Sequence, residues 1–404
     1  MIFLLPRQTS DWKDEVRSVS SQKMLKPFSE EVLQFLQSVS SRLLKERSLR
    51  QYPELVAVGY WLRKANIYQL KAEFEQAEKL LLPRGTVLHF APSNVDSIFL
   101  YSWVLSMLAG NKNILRLSQR QNEQLNLLLN VIAEELTKEQ FSKIAERTLI
   151  VSYEHDDAIT SYLSSYCDVR VIWGGDTTIQ KIRSLPLPPM ATELVFADRF
   201  SSVLLAAEEI NQLDSRALGQ FVHQFYNDAF WFDQMACSSP RLVLWLGKEN
   251  EIHAVKKKFW TELEGYLKQK KHSIAPALNI NRFATSCFYG AQEHTKSVTN
   301  VGSEGFQRIE LENLTDMDRE MHCGAGLFLE ISVQTLSEAA SLFSHKDQTL
   351  SYFGFEKTQL HELVENLPNR GIDRIVSVGQ ALDFNSVWDG YDFLTYFTRE
   401  VVVR

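Results

Sequence analysis

Short apolar runs alternate with longer stretches of helical periodicity between residues 86 and 173. The apolar runs cover residues 86–91, 113–117, 148–152 and 169–173. The stretches between them, which carry apolar residues at helical spacing, are 95–109, 121–137 and 155–165. A strand followed by a helix, repeated in this rhythm, is typical of a parallel sheet with crossover helices. The sequence therefore predicts an α/β fold.

The flanking sequence predicts helices before this region and a second α/β region after it. In the first 80 residues, Ser29 and Pro53 stand at the starts of two amphipathic stretches. From residue 208 onward the predicted elements are a helix at 208–226, a strand at 241–246, a helix at 249–270 and strands near 325–332, 350–355 and 374–379. Residues 397–404 alternate and are rich in β-branched side chains, so we expect the chain to end as a strand that pairs with a sheet edge.

The composition limits the class of protein. Hydrophobic residues make up 45% of the 404 residues and charged residues 23%, as in a globular protein with a large core. The formal net charge of −7 argues against a nucleic-acid partner, because binding to phosphates requires a basic face. The lysine-rich run at 255–271 alternates with apolar residues at helical spacing, and we interpret it as the solvated face of a helix.

The cysteines and the apolar segments bear on the cellular compartment. The four cysteines are scattered without a CxxC pair, so neither a disulfide framework nor a zinc site is predicted. The N-terminus lacks the pattern of a signal peptide, and the longest apolar run, 95–110, is interrupted by polar residues. We expect a reduced, cytoplasmic protein with no integral membrane segment. Peripheral membrane contact stays open.

One cysteine, Cys237, lies in a polar loop of small residues, Asp233-Gln-Met-Ala-Cys-Ser-Ser-Pro240. Buried structural cysteines usually lie inside apolar runs, which is the setting of Cys167 and Cys287. A thiol in a loop can be presented to a substrate, and backbone amides there can lower its pKa. The local pattern alone leaves two interpretations of Cys237, a nucleophile and a structural thiol.

Asn94 follows the first predicted strand, in the segment Pro92-Ser-Asn94. In open α/β sheets, ligands bind at the carboxyl ends of the strands. An asparagine in that place can donate its side-chain N–H to a developing oxyanion. It can equally cap the helix predicted at 95–109, so both functions stay open.

Two further junctions have the character of phosphate or ribose contacts. The segment Ala109-Gly-Asn111 leads into a strand that ends in basic and polar residues, from Arg116 to Arg120. The strand at 169–173 ends at Gly174-Gly175-Asp176, where a helix is predicted to begin. Such a junction can place a phosphate on the amides of a helix N-terminus. A Gly-Gly turn is a weak signal by itself, and the sequence contains no GxGxxG motif.

Together, these four features resemble the aldehyde dehydrogenase superfamily. Their order is strand–Pro-x-Asn, Ala-Gly-Asn followed by a basic residue and a serine, strand–Gly-Gly, and Gln-x-x-Cys. The LuxC-like acyl-CoA reductases, the fatty-acid reductases known from bacterial bioluminescence, are the more similar branch. The stretches that carry the resemblance are 84–120, 171–199, 230–244 and 379–399, with the characteristic motifs Ser184-Leu-Pro-Leu-Pro-Pro189 and Trp388-Asp-Gly390. The resemblance covers residues 80–404.

The resemblance implies an aldehyde-dehydrogenase-like fold with four segments. These are an N-terminal helical segment at 1–80 that packs on the cofactor domain, a Rossmann-type dinucleotide-binding domain at 81–207, a second α/β domain with the catalytic thiol at 208–372, and a return to the cofactor domain at 373–404 that ends in an oligomerisation strand. It also implies a reaction, in which the Cys237 thiolate attacks an acyl thioester such as acyl-CoA. Asn94 and the backbone N–H of Cys237 would hold the oxyanion, and NADPH would then reduce the thioacyl group to an aldehyde.

The expected ribose site departs from the superfamily. Arg116 stands where a lysine is usual, and Gln119 replaces a glutamate that often favours NAD. Loss of that carboxylate removes repulsion against a 2′-phosphate, which Arg116 or Arg120 can then bind. We therefore expect NADPH as the cofactor. The full set of expected cofactor residues is Arg116, Ser118, Gln119, Arg120, Gly174, Gly175 and Asp176.

Two candidates for acid–base catalysis match the superfamily poorly. Glu193 lies in the region of the general base, but the usual Gly-Gly-Lys after it is replaced by Val195-Phe196-Ala197. A weak or absent base suits an enzyme that passes its acyl group to hydride rather than to water. His322, in the segment Glu320-Met-His-Cys-Gly-Ala-Gly326, either assists proton transfer or is a structural histidine. We interpret the neighbouring Cys323 as structural.

Three functions remain to be distinguished. The first is an acyl-thioester reductase. The second is a hydrolytic NAD(P)-dependent aldehyde dehydrogenase, which a well-placed Glu193 would favour. The third is a non-catalytic acyl-accepting subunit that serves an acyl-protein synthetase partner, and the joint presence of Cys237, Asn94 and Arg116 argues against it. A homo-oligomer is expected, although the short segment before Asn94 puts a tetramer in doubt.

Overall fold

The computed structural model describes residues 1–5, 11–76, 79–92, 98–119, 122–300, 305–368 and 370–404. Backbone contacts divide the chain into two units. The first unit comprises Met1–Asp198 and Phe384–Arg404, and the second comprises Arg199–Asp383.

The helices and strands are numbered in chain order. The first unit begins with β1 (Ile2–Phe3), α1 (Trp12–Ser21), α2 (Glu30–Lys45), α3 (Pro53–Trp61), α4 (Lys64–Glu75), β2 (Leu81–Pro83), β3 (Thr86–Phe90), α5 (Ile98–Leu108), β4 (Lys112–Leu117), α6 (Glu123–Leu136), α7 (Ser142–Ala145), β5 (Thr148–Ser152), α8 (Asp157–Ser164), β6 (Val169–Trp173), α9 (Asp176–Arg183) and β7 (Thr192–Phe196). The second unit contains β8 (Phe200–Ala206), α10 (Ala207–Asn211), α11 (Ser215–Phe230), β9 (Leu242–Leu246), α12 (Glu249–Lys270), α13 (Pro276–Gly290), β10 (Thr295–Asn300), β11 (Gln307–Leu311), α14 (Asp316–Met321), β12 (Leu327–Val333), α15 (Leu336–Ser341), β13 (Asp347–Phe353), α16 (Lys357–Glu365) and β14 (Arg374–Ser377). The chain returns to the first unit with β15 (Val387–Trp388), β16 (Tyr391–Asp392), α17 (Phe393–Tyr396) and β17 (Thr398–Glu400).

In the main sheet of the first unit, the described strands follow the order β1-β5-β4-β3-β6-β7. Strands β3 to β7 pair in parallel, and β1 pairs with β5 antiparallel. Every residue of β3, β5 and β6 is buried, as expected for a parallel sheet that is covered on both faces. The chain runs outward from β3 to β4 and β5, then returns to the other side of β3 for β6. In open sheets this reversal forms a crevice at the carboxyl ends of the central strands, here β3 and β6.

In the main sheet of the second unit, the described strands follow the order β10-β11-β12-β9-β8-β13-β14. Only the pairing of β10 with β11 is antiparallel among these described strands. Large aromatic side chains from α11, α12 and the sheet form a buried cluster, which includes Phe225, Trp245, Phe259, Trp260 and Phe328. Burial of such side chains contributes strongly to stability and fixes α11 against the sheet.

Most of the elements predicted from periodicity are confirmed, and two predictions were wrong. The apolar runs between 86 and 173 are β3 to β6, and the predicted helix at 249–270 is α12. The predicted helix at 208–226 is instead two helices, α10 and α11. The side chain of Asp214 accepts a hydrogen bond from the N–H of Ala217 and starts the second of them. The strand expected at 397–404 is only β17, which pairs with β2 inside the same unit.

The boundaries between the two units differ from the predicted segment boundaries. The boundary expected at 207/208 lies at Asp198/Arg199, because β8 pairs with β9 and β13 of the second sheet. The boundary expected at 372/373 lies at Asp383/Phe384, because β14 pairs with β13. Within the described ranges, no helix has both the length and the apolar content needed to cross a membrane.

Candidate active site

Cys237 lies in the thiol loop, which we define as residues 231–240 and which joins α11 to β9. In the sheet, β9 lies between β12 and β8, and the three strands run parallel. Their amino-terminal ends therefore lie at one edge of the sheet. Three segments meet at that edge: the thiol loop before β9, residues 322–326 before β12, and the first residues of β8.

The backbone of the thiol loop is unusual. Asp233 and Gln234 have φ values of 48° and 61°, in the left-handed region that few non-glycine residues adopt. The side chain of Gln234 is fully buried, and its Nε2 donates to the carbonyl of Pro240 over 2.8 Å. This bond connects the beginning of the loop to its end. Cys237 lies between the two connected residues and is half-buried.

A second unusual segment, the Gly324 turn, packs directly against the thiol loop. We define it as residues 324–326, which have successive φ values of 69°, 57° and 76°. Within the turn, the N–H of Ala325 donates to the carbonyl of Asp233 over 2.8 Å. A Cβ atom at Gly324 would lie 2.9 Å from the sulfur of Met235 and 3.0 Å from the carbonyl oxygen of Gln234. Glycine is therefore required at position 324 by both the backbone conformation and the contact with the loop.

His322 holds the Gly324 turn in place. Its Nδ1 accepts the N–H of Gly324 at 3.1 Å, and its Nε2 lies 3.0 Å from the carbonyl of Leu327, to which it donates. Burial lowers the pKa of His322 well below its ordinary value, and repulsion from Arg241 acts in the same direction. The ring is thus neutral, and both nitrogens are engaged by backbone groups. These two contacts support the structural alternative for His322 over proton transfer.

The other three thiols have different environments. Cys167 is buried, and burial raises its pKa to about 12. Burial also raises the pKa of Cys323, which is half-buried beside the Gly324 turn. Cys287 lies exposed on α13. All four cysteines belong to the described residues, and none of them forms a disulfide.

Asp228 anchors the helix that leads into the thiol loop. Its buried carboxylate accepts the N–H of Gly379 at 2.7 Å and the N–H of Ala381 at 2.9 Å. Burial raises the pKa of Asp228 from 3.8 to about 7, with a further contribution from Asp383. The two N–H groups and Arg374 act in the opposite direction. This residue did not stand out in the sequence, because its partners lie about 150 residues away.

The raised pKa of Asp228 predicts a pH-dependent stability. Between about pH 4 and about pH 7 the folded chain retains this proton while the unfolded chain loses it, so the contribution of Asp228 to stability falls as pH rises. Asp228→Asn should remove this dependence. Relative to the wild type, the free energy of unfolding of the variant should rise by up to about 1.4 kcal/mol per pH unit across that window. Urea unfolding from about pH 5 to about pH 8 measures the difference, and parallel pH curves would contradict the assignment.

In the first unit, most of the expected cofactor residues lie at the carboxyl ends of β4 and β6, the two neighbours of β3. Ser118 and Gln119 directly follow β4, and Gln119 is exposed. Gly174, Gly175 and the exposed Asp176 form the junction between β6 and α9. The structure thus brings these residues to the edge of the sheet where the strand order reverses. Arg120 lies outside the described residues.

The side chain of Arg116, near the end of β4, contacts Tyr153, which directly follows β5. Its Nη2 donates to the carbonyl of Tyr153 over 3.1 Å, and its guanidinium lies 5.4 Å from the centre of the Tyr153 ring. Burial lowers the pKa of Arg116 from its ordinary value. Within the described residues, these contacts include no carboxylate. A guanidinium carries five N–H donors, so Arg116 can bind an anion while it keeps its bond to Tyr153.

Neither the backbone conformation nor the packing of neighbouring side chains requires the two glycines of the β6–α9 junction. Gly175 has a φ of −69°, which any residue adopts, and a Cβ atom there would meet no atom within 4 Å. A Cβ atom at Gly174 would make only ordinary contacts of 3.5 Å with Thr178. Both residues leave the N-terminal amides of α9 accessible from outside. This arrangement fits the close approach of a phosphate group.

Glu193 does not lie at the carboxyl end of its strand. It is the second residue of β7, and its Oε1 pairs with the buried Arg170 on β6 over 2.5 Å. Its Oε2 lies 3.4 Å from Arg183. The structure thus places Glu193 in an ion-pair network with Arg170 and Arg183.

Asn94 lies outside the described residues. β3, which leads toward it, ends at Phe90, and α5 is described from Ile98. Among the described residues, no group of three or more histidine, cysteine, aspartate or glutamate side chains is arranged to hold a metal ion.

Solved structures identify the class of fold. The crystal structure of aldehyde dehydrogenase 21 from Physcomitrella patens, in complex with the reaction product succinate, is similar with a TM-score of 0.68 and 14% identity, covering 97% of this chain and 89% of that one. An NAD-dependent benzaldehyde dehydrogenase from Corynebacterium glutamicum gives a TM-score of 0.60 and 12% identity, covering 96% and 87%. The structure of PnpE in complex with nicotinamide adenine dinucleotide gives 0.63 and 11%, covering 96% and 86%. The chain therefore has the aldehyde dehydrogenase fold.

The family follows from the sequence. The family model "Acyl-CoA reductase (LuxC)" matches residues 1–400. The chain therefore belongs to the LuxC acyl-CoA reductase family, which confirms the resemblance of its motifs, and it is an oxidoreductase that acts on acyl or aldehyde groups. No curated protein matches the sequence.

Proposed function

We propose that the protein reduces a fatty acyl-CoA to the aldehyde with NADPH, through a thioacyl intermediate on Cys237. The observation that carries the proposal is the thiol loop. Its left-handed residues, its internal bond from Gln234 and its contact with the Gly324 turn hold a half-buried thiol in a fixed conformation. The membership of the LuxC family supplies the substrate class.

The proposed reaction has two stages. The Cys237 thiolate adds to the thioester carbonyl, and the CoA thiolate leaves and takes up a proton. The backbone N–H of Cys237 and the side-chain amide of Asn94 donate to the oxyanion. NADPH, when bound, supplies the hydride that reduces the thioacyl carbonyl. The C–S bond then breaks, so that the aldehyde leaves and the Cys237 thiolate is restored.

No step of this reaction uses water, and the contacts of Glu193 agree with that. In a hydrolytic dehydrogenase, a carboxylate must be able to take a proton from the attacking water. Both oxygens of Glu193 are paired with arginines, which supports the reductase over the hydrolytic alternative.

The chemistry of the described residues fits a dinucleotide. Gly174 and Gly175 leave space at the N-terminus of α9 for the pyrophosphate, and Asp176 begins that helix. Arg116 is a half-buried cation whose described contacts include no carboxylate, so an anionic 2′-phosphate would offset its desolvation. Ser118, Gln119 and Arg120 complete the proposed ribose contacts. Gln119 is uncharged, so it would not repel a 2′-phosphate bound beside it.

The preference for NADPH gives a testable prediction. Gln119→Glu should weaken NADPH binding about 10- to 100-fold relative to NADH, because the new carboxylate would stand beside the 2′-phosphate. Gln140→Glu, an exposed change of the same charge in the same unit, is the matched control and should leave the preference unaltered. Fluorescence titration with both cofactors measures the ratio. Equal affinity of the wild type for NADH and NADPH would contradict this interpretation of the ribose site.

A pair of assays separates the reductase from its alternatives. Consumption of NADPH with acyl-CoA, with release of aldehyde and free CoA, is expected of the reductase. Reduction of NAD or NADP with a free aldehyde and water, without CoA, would instead indicate the hydrolytic enzyme. Acylation without any hydride transfer would indicate an acyl-accepting subunit.

The proposal also covers the cellular compartment of the enzyme and its protein partners. We propose a reducing, cytoplasmic compartment, because the scattered cysteines of the sequence do not form a disulfide pattern. We propose a homo-oligomer and an acyl-protein synthetase that supplies the acyl group. Sedimentation of the protein alone and with the synthetase would test both associations.

A further inference from the structure

Ser201, the second residue of β8, is fully buried at the edge of the sheet where the thiol loop lies. Its hydroxyl donates to the carbonyl of Cys237 over 2.6 Å. The same hydroxyl accepts the N–H of Thr349, on β13, at 3.3 Å. Its own carbonyl accepts the N–H of Arg241, which follows the loop, at 2.8 Å. One residue therefore connects the nucleophile and the end of its loop to two strands of the sheet.

We propose that Ser201 is a positioning residue for the Cys237 thiol. This inference rests on the proposed function of Cys237 as the acyl acceptor. A hydrogen bond from a fixed donor to the Cys237 carbonyl restricts the peptide between Cys237 and Ser238, and it thereby limits how the Cys237 Cα and its side chain can move. The Gly324 turn fixes the loop at Asp233, four residues earlier, whereas Ser201 fixes it at the nucleophile itself.

Ser202, the next residue of β8, shows that a buried serine on this strand does not by itself position Cys237. Ser202 is equally buried, but among the described residues its Oγ has no hydrogen-bond partner. A second comparison comes from the first unit. The buried Ser40 donates to the carbonyl of Gly59 over 2.7 Å, which is the same kind of bond in the unit that does not contain Ser201. These two serines provide matched controls.

The test compares single-turnover acylation by acyl-CoA in the variants Ser201→Ala, Ser202→Ala and Ser40→Ala, well below their melting temperatures. Ser201→Ala should acylate about 10- to 100-fold more slowly at saturating acyl-CoA, because a misplacement of roughly 1 Å at a reacting group has an effect of that size. Its KM for acyl-CoA should change less than about two-fold, since the substrate contacts are intact. Ser40→Ala should lower the melting temperature without changing acylation, and Ser202→Ala should change neither.

A second pair of variants covers the case in which Ser201→Ala does not fold. Threonine and valine have the same shape and differ only in that threonine has a hydroxyl where valine has a methyl group. Ser201→Thr should therefore acylate about 10- to 100-fold faster than Ser201→Val. Wild-type acylation by Ser201→Ala, or equal rates in the Thr and Val variants, would overturn the inference while the proposed function stands. Failure of the wild type to acylate at all would instead refute the proposed function.

Discussion

Cys237→Ala should abolish the acyl-enzyme and lower aldehyde formation by at least about 10⁴-fold, because it removes the proposed acyl acceptor. The proposed dinucleotide contacts lie in the first unit, so binding of NADPH should be retained. Incubation of the wild type with acyl-CoA and no reductant should add one acyl mass. Peptide mapping should locate this mass on the peptide that contains Cys237, and Cys237→Ala should lack it.

Cys323→Ala is the matched control for this experiment. Cys323 directly precedes the Gly324 turn, which packs on the thiol loop, yet burial raises its pKa and disfavours the thiolate. Its replacement should leave the acyl adduct and most of the activity in place. An acyl group found on Cys323, or on the exposed Cys287, would overturn the assignment of the nucleophile.

The periodicity of the sequence was sufficient to predict β3 to β6 of the first sheet, because nearly every residue of these four strands is buried. An uninterrupted apolar run such as β3 or β6 can be recognised without knowledge of its neighbours. β8 was missed although every one of its residues is buried, whereas two other missed strands lack this signal. β10, with the sequence Thr-Lys-Ser-Val-Thr-Asn, is a polar edge strand, and β7 begins with Thr192 and Glu193 before its apolar residues.

The chemistry of the site was predictable only where one residue or a short motif carries it. The polar loop around Cys237 and the Gly174-Gly175 junction are local patterns of this kind. The environments of Glu193 and His322 depend instead on contacts that only the fold creates. Glu193 pairs with Arg170 on the adjacent strand, and His322 donates to the carbonyl of Leu327. Nothing in the sequence distinguished Ser201 from Ser202, because one hydroxyl meets the Cys237 carbonyl and the other does not. The Gly-Ala-Gly pattern at 324–326 was the one available signal for the turn.

Asn94 is the residue for which two explanations, a helix cap and an oxyanion donor, make opposite predictions. Asparagine and aspartate are about equally good at capping a helix, so Asn94→Asp should be nearly neutral if Asn94 is only a cap. Asn122 provides the matched control, because its side chain accepts the N–H of Leu125 over 2.8 Å at the start of α6. Asn122→Asp should therefore preserve both the stability and the activity of the protein.

If Asn94 donates to the oxyanion, Asn94→Asp replaces a donor by a negative charge at the point where negative charge develops. Loss of one such donor lowers rates by about 100- to 1,000-fold, and the added repulsion should increase that loss. The melting temperature should stay close to that of the wild type and of Asn122→Asp, while acylation and hydride transfer both collapse. A melting curve and single-turnover acyl-enzyme formation measure the two effects separately. An Asn94→Asp protein that is stable and acylates at the wild-type rate would show that Asn94 is a cap, and the oxyanion would then depend on the backbone N–H of Cys237.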